Sequence, residues 1–272
     1  MAYDHGTKAG NRGDVWKHAV LVSVADRLTP ATTLRYMESH SGAPLHAPAR
    51  AGEWQRGIRA ALDRGPVTAH PYLALAEEYV ARGEYPAGWV FSALRLAPLA
   101  KSLLIELHDV DNDVAAEYAE PPTGPFSANT EVLFTQSDGF EAASRLEECD
   151  LVLLDPPYSP VAKADWTALA RVCSRLSRRD IPYLAWYPFF WPSRPQQLVN
   201  DTGQRGWEVH WAKFGSKPSQ NLKGCGMLFS EPLRALMENA RPELQAVASR
   251  LDAELYERTP ASAKLRAKII DG

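Results

Sequence analysis

The sequence predicts an α/β protein whose sheet is mostly parallel. Short apolar runs without polar alternation, SLLI at 102–105 and LVLL at 151–154 among them, read as strands buried on both faces. Segments of helical period lie between these runs, as expected when each strand is followed by a crossover helix. A third observation says where such a sheet would work. Apolar runs lead into acids at Glu38, Glu106, Asp138 and Asp155, and open parallel sheets bind their ligands outside the carboxyl ends of the strands. One acid in such a place is usually a turn former or a helix cap. Four along one edge would ring a crevice suited to a polar, hydroxyl-bearing ligand.

Taken in order, residues 14–28 (DVWKHAVLVSVADRL) space their apolar side chains for a helix, with Asp14 as its cap. TLRYMESH (33–40) is the first strand and ends in the polar turn SGAP. Residues 51–82 are helical with a break at Pro66, and YPAGWVFSALRLAPLAK is a turn followed by a helix. SLLIELHD (102–109) is the second strand. The polar helix DVAAEYAE and the loop PPTGPFSAN lead to EVLFTQSDG (131–139), the third strand, with a helix behind it. DLVLLDPPY (150–158) is the fourth strand, a helix spans 163–177, and IPYLAWYP (181–188) is the fifth. WEVHWAKF (207–214) and GCGMLFSEP (224–232) complete a seven-stranded sheet, and 232–258 reads as helix.

The 272 residues are 45% hydrophobic and 23% charged, which supports one large domain with an ordinary core. No apolar run reaches the length of a membrane span. The polar start MAYDHGTKAGNRGD lacks the apolar stretch of a signal peptide. Cys149, Cys173 and Cys225 are too few and too scattered for a disulfide framework or a zinc site. The expectation is a reduced, cytoplasmic protein with no metal and no membrane contact. A net charge of −3 excludes an all-over basic coat but not a local basic patch.

The stretch LVLLDPPYSP (151–160) carries the most chemistry. An exocyclic amine of a nucleobase has two N–H donors and a lone pair delocalised into the ring. Asp155 and the Pro156 carbonyl can accept both donors, which favours the pyramidal nitrogen needed for attack on a methyl group. Pro156 and Pro157 stiffen the loop and offer only acceptors, and Tyr158 can stack on the base. A base within a duplex must first be flipped out. The alternative is a strand end with an Asp turn and a Pro-Pro stop.

D-P-P-Y resembles motif IV of amino-group methyltransferases that use S-adenosyl-L-methionine. YDHGTKAGNRGDVWKH (3–18) resembles the opening of the J-type 23S ribosomal RNA adenine-N6 methyltransferases, Y-x-H-x-x-x-A-G-N-x-x-D-V-x-K-H. ESHSGA, GEWQRGI, LIELHD, SDGF, LLDPPY, AWYP and GCGMLFSEP match in the same order, across nearly the whole chain. The resemblance implies a Rossmann-like class I methyltransferase domain over 1–272, with a helical insertion at 51–85, acting on 23S rRNA. It implies that Asp155 grips the adenine amine and that Pro156, Pro157 and Tyr158 complete the pocket. Lys17, His18, His40, Gly42, Gly88, Glu106, Asp138, Gly139 and Asp155 are then the expected cofactor-site residues, Glu106 on the ribose hydroxyls. Tyr3, Lys8, Asn11 and Arg12 are the expected substrate contacts.

The chain departs from the family pattern in three segments. D-T-H-A-G-A-G becomes Glu38-Ser39-His40-Ser41-Gly42-Ala43-Pro44, so the acid is one carbon longer and the last glycine is a proline. Y-P-G-S-P becomes Tyr85-Pro86-Ala87-Gly88-Trp89, and the second histidine of the N-terminal motif is Lys8. Two competing readings follow: a DNA adenine methyltransferase, which shares D-P-P-Y, and a binder that has lost catalysis.

Other features keep two readings each. His5 and His18 are core histidines or ligands. Lys8, Arg12 and Lys17 are a solvated cluster or phosphate contacts, with Lys213, Lys217 and Lys223 as possible additions. Arg258, Lys264, Arg266 and Lys268 are a frayed end or a nucleic-acid arm. The 51–85 segment clamps RNA or only stiffens the rim.

Overall fold

The computed structural model describes residues 8–48, 51–120, 128–158, 164–190, 193–212 and 222–261. Tyr3, His5, Lys213, Lys217, Lys264, Arg266 and Lys268 lie outside them.

Helix α1 (Arg12–Ala25) leads to strand β1 (Ala31–Glu38). A short ribbon, β2 (Leu45–His46) paired antiparallel with β3 (Tyr85–Pro86), closes the neck of the 51–85 segment, which holds α2 (Ile58–Asp63) and α3 (Pro71–Val80). Next come α4 (Gly88–Leu96), β4 (Ala100–Asp109), α5 (Asn112–Glu117), β5 (Thr130–Gln136), α6 (Gly139–Arg145) and β6 (Leu151–Leu154). Then follow α7 (Ala164–Arg178), β7 (Tyr183–Phe189), α8 (Ser193–Thr202), β8 (Arg205–His210), β9 (Gly224–Phe229), α9 (Arg234–Arg250) and β10 (Glu254–Arg258).

The main sheet has the order β10-β8-β9-β7-β6-β1-β4-β5. Strands β5, β4, β1, β6 and β7 are mutually parallel, and β9 and β10 run antiparallel to their neighbours. This is the Rossmann-like arrangement of class I methyltransferases, with the order reversing between β1 and β6. Helices α1, α4 and α9 cover one face and α6, α7 and α8 the other, so β6 is buried along its whole length. The apolar core therefore lies in two layers, one on each side of the sheet.

Two boundaries differ from the sequence reading. Asn11, not Asp14, caps α1: its Oδ1 accepts from the Gly13 and Asp14 amides at 2.6 and 3.1 Å. The seven expected strands are all present, and an eighth, β10, occupies part of the segment read as helix. Helix α9 stops at Arg250, and Asp252 turns the chain with φ 51°. Arg258 then reaches across β8 to the buried Glu208, whose carboxylate also receives the Tyr187 hydroxyl. Arg258 is thus an internal ion-pair partner, not part of a basic arm.

The 51–85 segment is fastened at three points. Ile58 N–H donates to the Gly10 carbonyl at 2.9 Å, and a Cβ on Gly57 would lie 2.0 Å from that oxygen, so the contact requires glycine. His70 caps α3 through the Tyr72 amide, and its Nε2 meets Ser23 Oγ at 2.9 Å, while Ser23 donates to Glu243. Arg250 donates to the carbonyls of Ala61, Gly65 and Pro66.

Candidate active site

Ligands of such sheets bind where the strand order reverses, here beyond the ends of β1 and β6. Glu38 is the last residue of β1 and Asp155 the first after β6. The Ser39 amide donates to the Leu153 carbonyl at 3.0 Å, which holds the two strand ends side by side.

Asp155 is already engaged. Lys17 Nζ, from α1, lies 2.5 Å from Asp155 Oδ2 and 3.1 Å from Asp14 Oδ1. Burial opposes the ammonium charge, yet Asp155 and Asp14 outweigh it and hold Lys17 well above the ordinary lysine value. Lys17 is thus a buried cation with carboxylates on two sides, on a helix that Asn11 caps.

Glu38 is buried beside this pair. Burial pushes its carboxyl up to about 8, against the pull of the Tyr36 hydroxyl, which donates at 2.7 Å, and of Lys17. Gly88, the first residue of α4, faces it. A Cβ at position 88 would stand 3.1 and 3.2 Å from the two Glu38 oxygens and 3.2 Å from Leu153 Cδ2. The longer acid and the missing side chain therefore fit each other. Pro44 is accommodated as well, since its carbonyl accepts the Ala87 amide at 3.0 Å, just ahead of α4.

The loop after β1 is braced by β4. Asp109 accepts from the Gly42 amide at 3.1 Å and from the Asp111 amide at 3.0 Å. Gly42 has φ 60°, a conformation that favours glycine. His40 bonds Ser39 Oγ at 2.7 Å and meets the Phe140 ring edge-on at 5.0 Å, and burial lowers its pKa. Asp138 caps α6 through the Phe140 and Glu141 amides at 2.8 and 3.0 Å. At Gly139 a Cβ would lie 1.6 Å from the Ser39 carbonyl oxygen, so only glycine lets the two loops meet.

Glu106 sits three residues inside β4, opposite Met37 and Leu133, and the acid at that strand's end is Asp109. Asp109 spends its carboxylate on loop amides, whereas no hydrogen bond or ion pair engages the Glu106 side chain among the described residues. Sequence reading missed the bracing role of Asp109 because LIELHD offers two acids and local pattern does not say which one points into the loop.

The remaining candidates divide. Pro156 is buried, Pro157 is exposed, and Tyr158 donates to the Trp186 carbonyl at 2.8 Å, with its ring 5.0 Å from Trp166 and 5.7 Å from Trp186. His18 lies in an aromatic core against Tyr85 and Phe91, its Nδ1 2.9 Å from the Tyr85 hydroxyl. Burial holds it well below the usual histidine value, and its Nε2 has no hydrogen-bond partner among the described residues. The Asn11 amide is spent on the helix cap, its nitrogen donating to the Lys8 carbonyl. Arg12 donates to the Arg56 carbonyl at 3.2 Å and lies over Trp211.

Among the described residues no cluster of His, Cys, Asp and Glu could hold a metal, and no helix is long and apolar enough to cross a membrane. No family model matches the chain. The Escherichia coli K12 protein named ribosomal RNA large subunit methyltransferase J is 23% identical over 271 residues, covering 90% of this chain and 93% of that protein. The Haemophilus influenzae protein of the same name is 27% identical over 256 residues, covering 85% and 87%. A crystal structure of a Legionella pneumophila protein superposes with a TM-score of 0.76 at 18% identity, covering 93% of this chain and 99% of that one. Over nearly its whole length, then, the chain is a homologue of the proteins named ribosomal RNA large subunit methyltransferase J, and it has the Rossmann-like methyltransferase fold.

Proposed function

We propose that this protein uses S-adenosyl-L-methionine to methylate the N6 amine of an adenine in 23S rRNA, with the base flipped into the pocket at Asp155–Tyr158. It would do so as one methyltransferase domain spanning 1–272, in the cytoplasm, on protein-free or partly assembled RNA. The observation that carries the reading is Asp155: the first residue past a wholly buried strand, at the reversal of strand order, with one carboxylate oxygen held by Lys17. The names of the similar proteins support a large-subunit rRNA methyltransferase; the choice of the adenine N6 amine rests on the chemistry of the pocket.

With Oδ2 on Lys17, Asp155 Oδ1 and the Pro156 carbonyl remain as acceptors for the two N–H donors of an exocyclic amine. Lys17 is then a positioning residue. Its ammonium fixes the carboxylate, and Asp14 and the Asn11 cap fix the ammonium. The chemistry is mainly one of orientation, since displacement at a methyl carbon needs a linear approach. The amine nitrogen is acidic once methylated and releases its proton readily. Tyr158, Trp166 and Trp186 form an aromatic wall that can exclude water and flank a flat base.

The residues that would hold S-adenosyl-L-methionine are Lys17, His40, Gly42, Gly88, Glu106, Asp138, Gly139 and Asp155, with His18 behind them in the aromatic core. When bound, it supplies an electrophilic methyl group on a sulfonium centre. The fit is supported by two features: Glu38, Asp109 and Asp155 stand at the ends of neighbouring parallel strands, where a cationic ligand would meet them, and Gly139 lets the loops after β1 and β5 meet closely. Glu106 is available to the ribose hydroxyls.

The test is methyl transfer from labelled S-adenosyl-L-methionine to protein-free 23S rRNA from an unmodified host, with duplex DNA in parallel. Label recovered as N6-methyladenosine in RNA, and lost in Asp155→Ala, is the expected result. Label in DNA alone would refute the substrate, and label on another atom would refute the pocket chemistry.

A further inference from the structure

The described part of the 51–85 segment holds no residue of the proposed pocket, yet it builds a charged surface beside it. Arg12, at the start of α1, donates to the Arg56 carbonyl and lies 3.9 Å from Asp252. Arg64 pairs with the same carboxylate at 2.6 Å and donates to the Arg250 carbonyl. The Arg250 guanidinium is spent on the carbonyls of Ala61, Gly65 and Pro66 and has no carboxylate within ion-pair distance among the described residues. Two guanidinium groups, Arg12 and Arg64, thus share one carboxylate, and the exposed Arg56 stands close enough to add its charge to theirs. The neighbouring Arg59 is balanced by Asp63 at 3.1 Å and adds nothing to the excess. Arg12 registers the crowding: burial lowers its pKa, Asp252 works against that, and Arg64 and Arg56 lower it further. Solvent still reaches the surface, with 26% of the Arg12 side chain and 39% of the Arg64 side chain exposed.

Local folding explains why these charges are held together. Gly57 packs against Gly10, which puts Arg56 at the mouth of α1. The turn at Asp252 brings the end of α9 to the same place. Trp211, after β8, lies under the Arg12 guanidinium at 5.9 Å and supports it from one side. Concentrating like charges in this way is unfavourable without a counterion, and a phosphate is the anion whose geometry a guanidinium fork fits best. Arg12 precedes Lys17 on α1 by five residues, which is about 7.5 Å of helix rise. A strand whose base enters the pocket would therefore carry its flanking phosphates past this surface.

We infer that Arg56 and Arg64 of the 51–85 segment, together with Arg12, form a docking surface for the phosphate backbone of the RNA on either side of the target nucleotide. The inference rests on the RNA reading above and adds a second element to it: the segment is a substrate clamp and Asp252 is the acid that moderates it.

The experiment measures binding apart from catalysis. The full chain, Arg56→Glu/Arg64→Glu, Arg56→Lys/Arg64→Lys and Asp252→Asn would be titrated with protein-free 23S rRNA across a range of salt. Cofactor affinity and methyl transfer would be measured alongside. The double Glu variant should bind RNA at least about ten-fold more weakly, and its salt slope should be reduced by about 1.4–1.8 for two lost phosphate contacts. Its KM for RNA should rise while kcat and cofactor affinity hold. The double Lys variant should keep the salt slope, and Asp252→Asn should bind RNA about two- to three-fold more tightly, an increase that structural damage would not produce. RNA affinity and salt slope unchanged in the double Glu variant would overturn the inference. A wild-type protein that binds RNA through this surface but transfers no methyl group would leave the surface standing and sink the proposed reaction; one that binds no RNA would sink both.

Discussion

Glu38 occupies the space that a side chain at position 88 would need: a Cβ there would lie 3.1 and 3.2 Å from its two carboxylate oxygens. The two departures from the family pattern at these positions are therefore one change. Gly88→Ser alone should overpack the crevice at a cost of about 1–3 kcal/mol. Glu38→Asp alone should leave a methylene-sized gap worth roughly 1 kcal/mol. Made together, the two should recover most of the loss, in both denaturant unfolding and cofactor titration. Strictly additive losses would show that the residues do not share the space.

The same carboxyl gives stability a pH dependence. Burial pushes Glu38 up to about 8, while in the unfolded chain it ionises near its ordinary 4.5. Between those values the folded protein retains a proton that the unfolded chain has released, so stability falls as pH rises through the window. Below it the penalty is absent. Glu38→Gln should flatten this part of the curve in urea midpoints taken from pH 5 to 8. Parallel curves for variant and wild type would assign the slope to another group.

Asp155→Ala should abolish methyl transfer while cofactor affinity largely persists. Full activity in that variant would rule out the amine-gripping role. Lys17→Met should also abolish transfer and, in addition, destabilise the fold by about 3–5 kcal/mol, because Asp14 and Asp155 would lose their buried cation. Chemical denaturation of the two variants separates the effects: a loss of activity in Lys17→Met with unchanged stability would mean that the ion pair is not part of the fold's support.

Glu106→Ala should weaken cofactor binding by about 1.5–3 kcal/mol through loss of a charged acceptor. Asp109→Ala should instead lower thermal stability, because the Gly42 and Asp111 amides lose their acceptor. Calorimetric titration and melting curves on both variants test the division of labour. The reverse pattern would make Asp109 the ribose acceptor and Glu106 the brace.

Much of this protein was determined by the sequence. Short apolar runs such as LVLL, bounded by turn signals and separated by segments of helical period, read as strands covered on both faces and so as an α/β sheet with crossover helices; the reading holds fully for β6, while β4 buries alternate residues. D-P-P-Y directly after such a run puts an acid on a stiff loop at the ligand-binding edge, because proline cannot extend the strand. What the tertiary structure decided are relations between residues far apart in the chain. Strand β10 has little apolar pattern of its own and forms where Arg258 can reach the buried Glu208. Asp14 reads as a helix cap but serves as a ligand of Lys17, because Asn11 takes the cap first. Lys17 reads as a solvated charge or a phosphate contact, and by resemblance as a cofactor-site residue; the fold makes it the cation of Asp155, 138 residues away. The partnership of Glu38 with Gly88, and the meeting of Arg12 and Arg64 at Asp252 with Arg56 beside them, exist only after the sheet closes and the 51–85 segment docks on Gly10. Local pattern reports which residues are apolar and how they repeat; charge pairing and close packing depend on distances that only the folded chain defines.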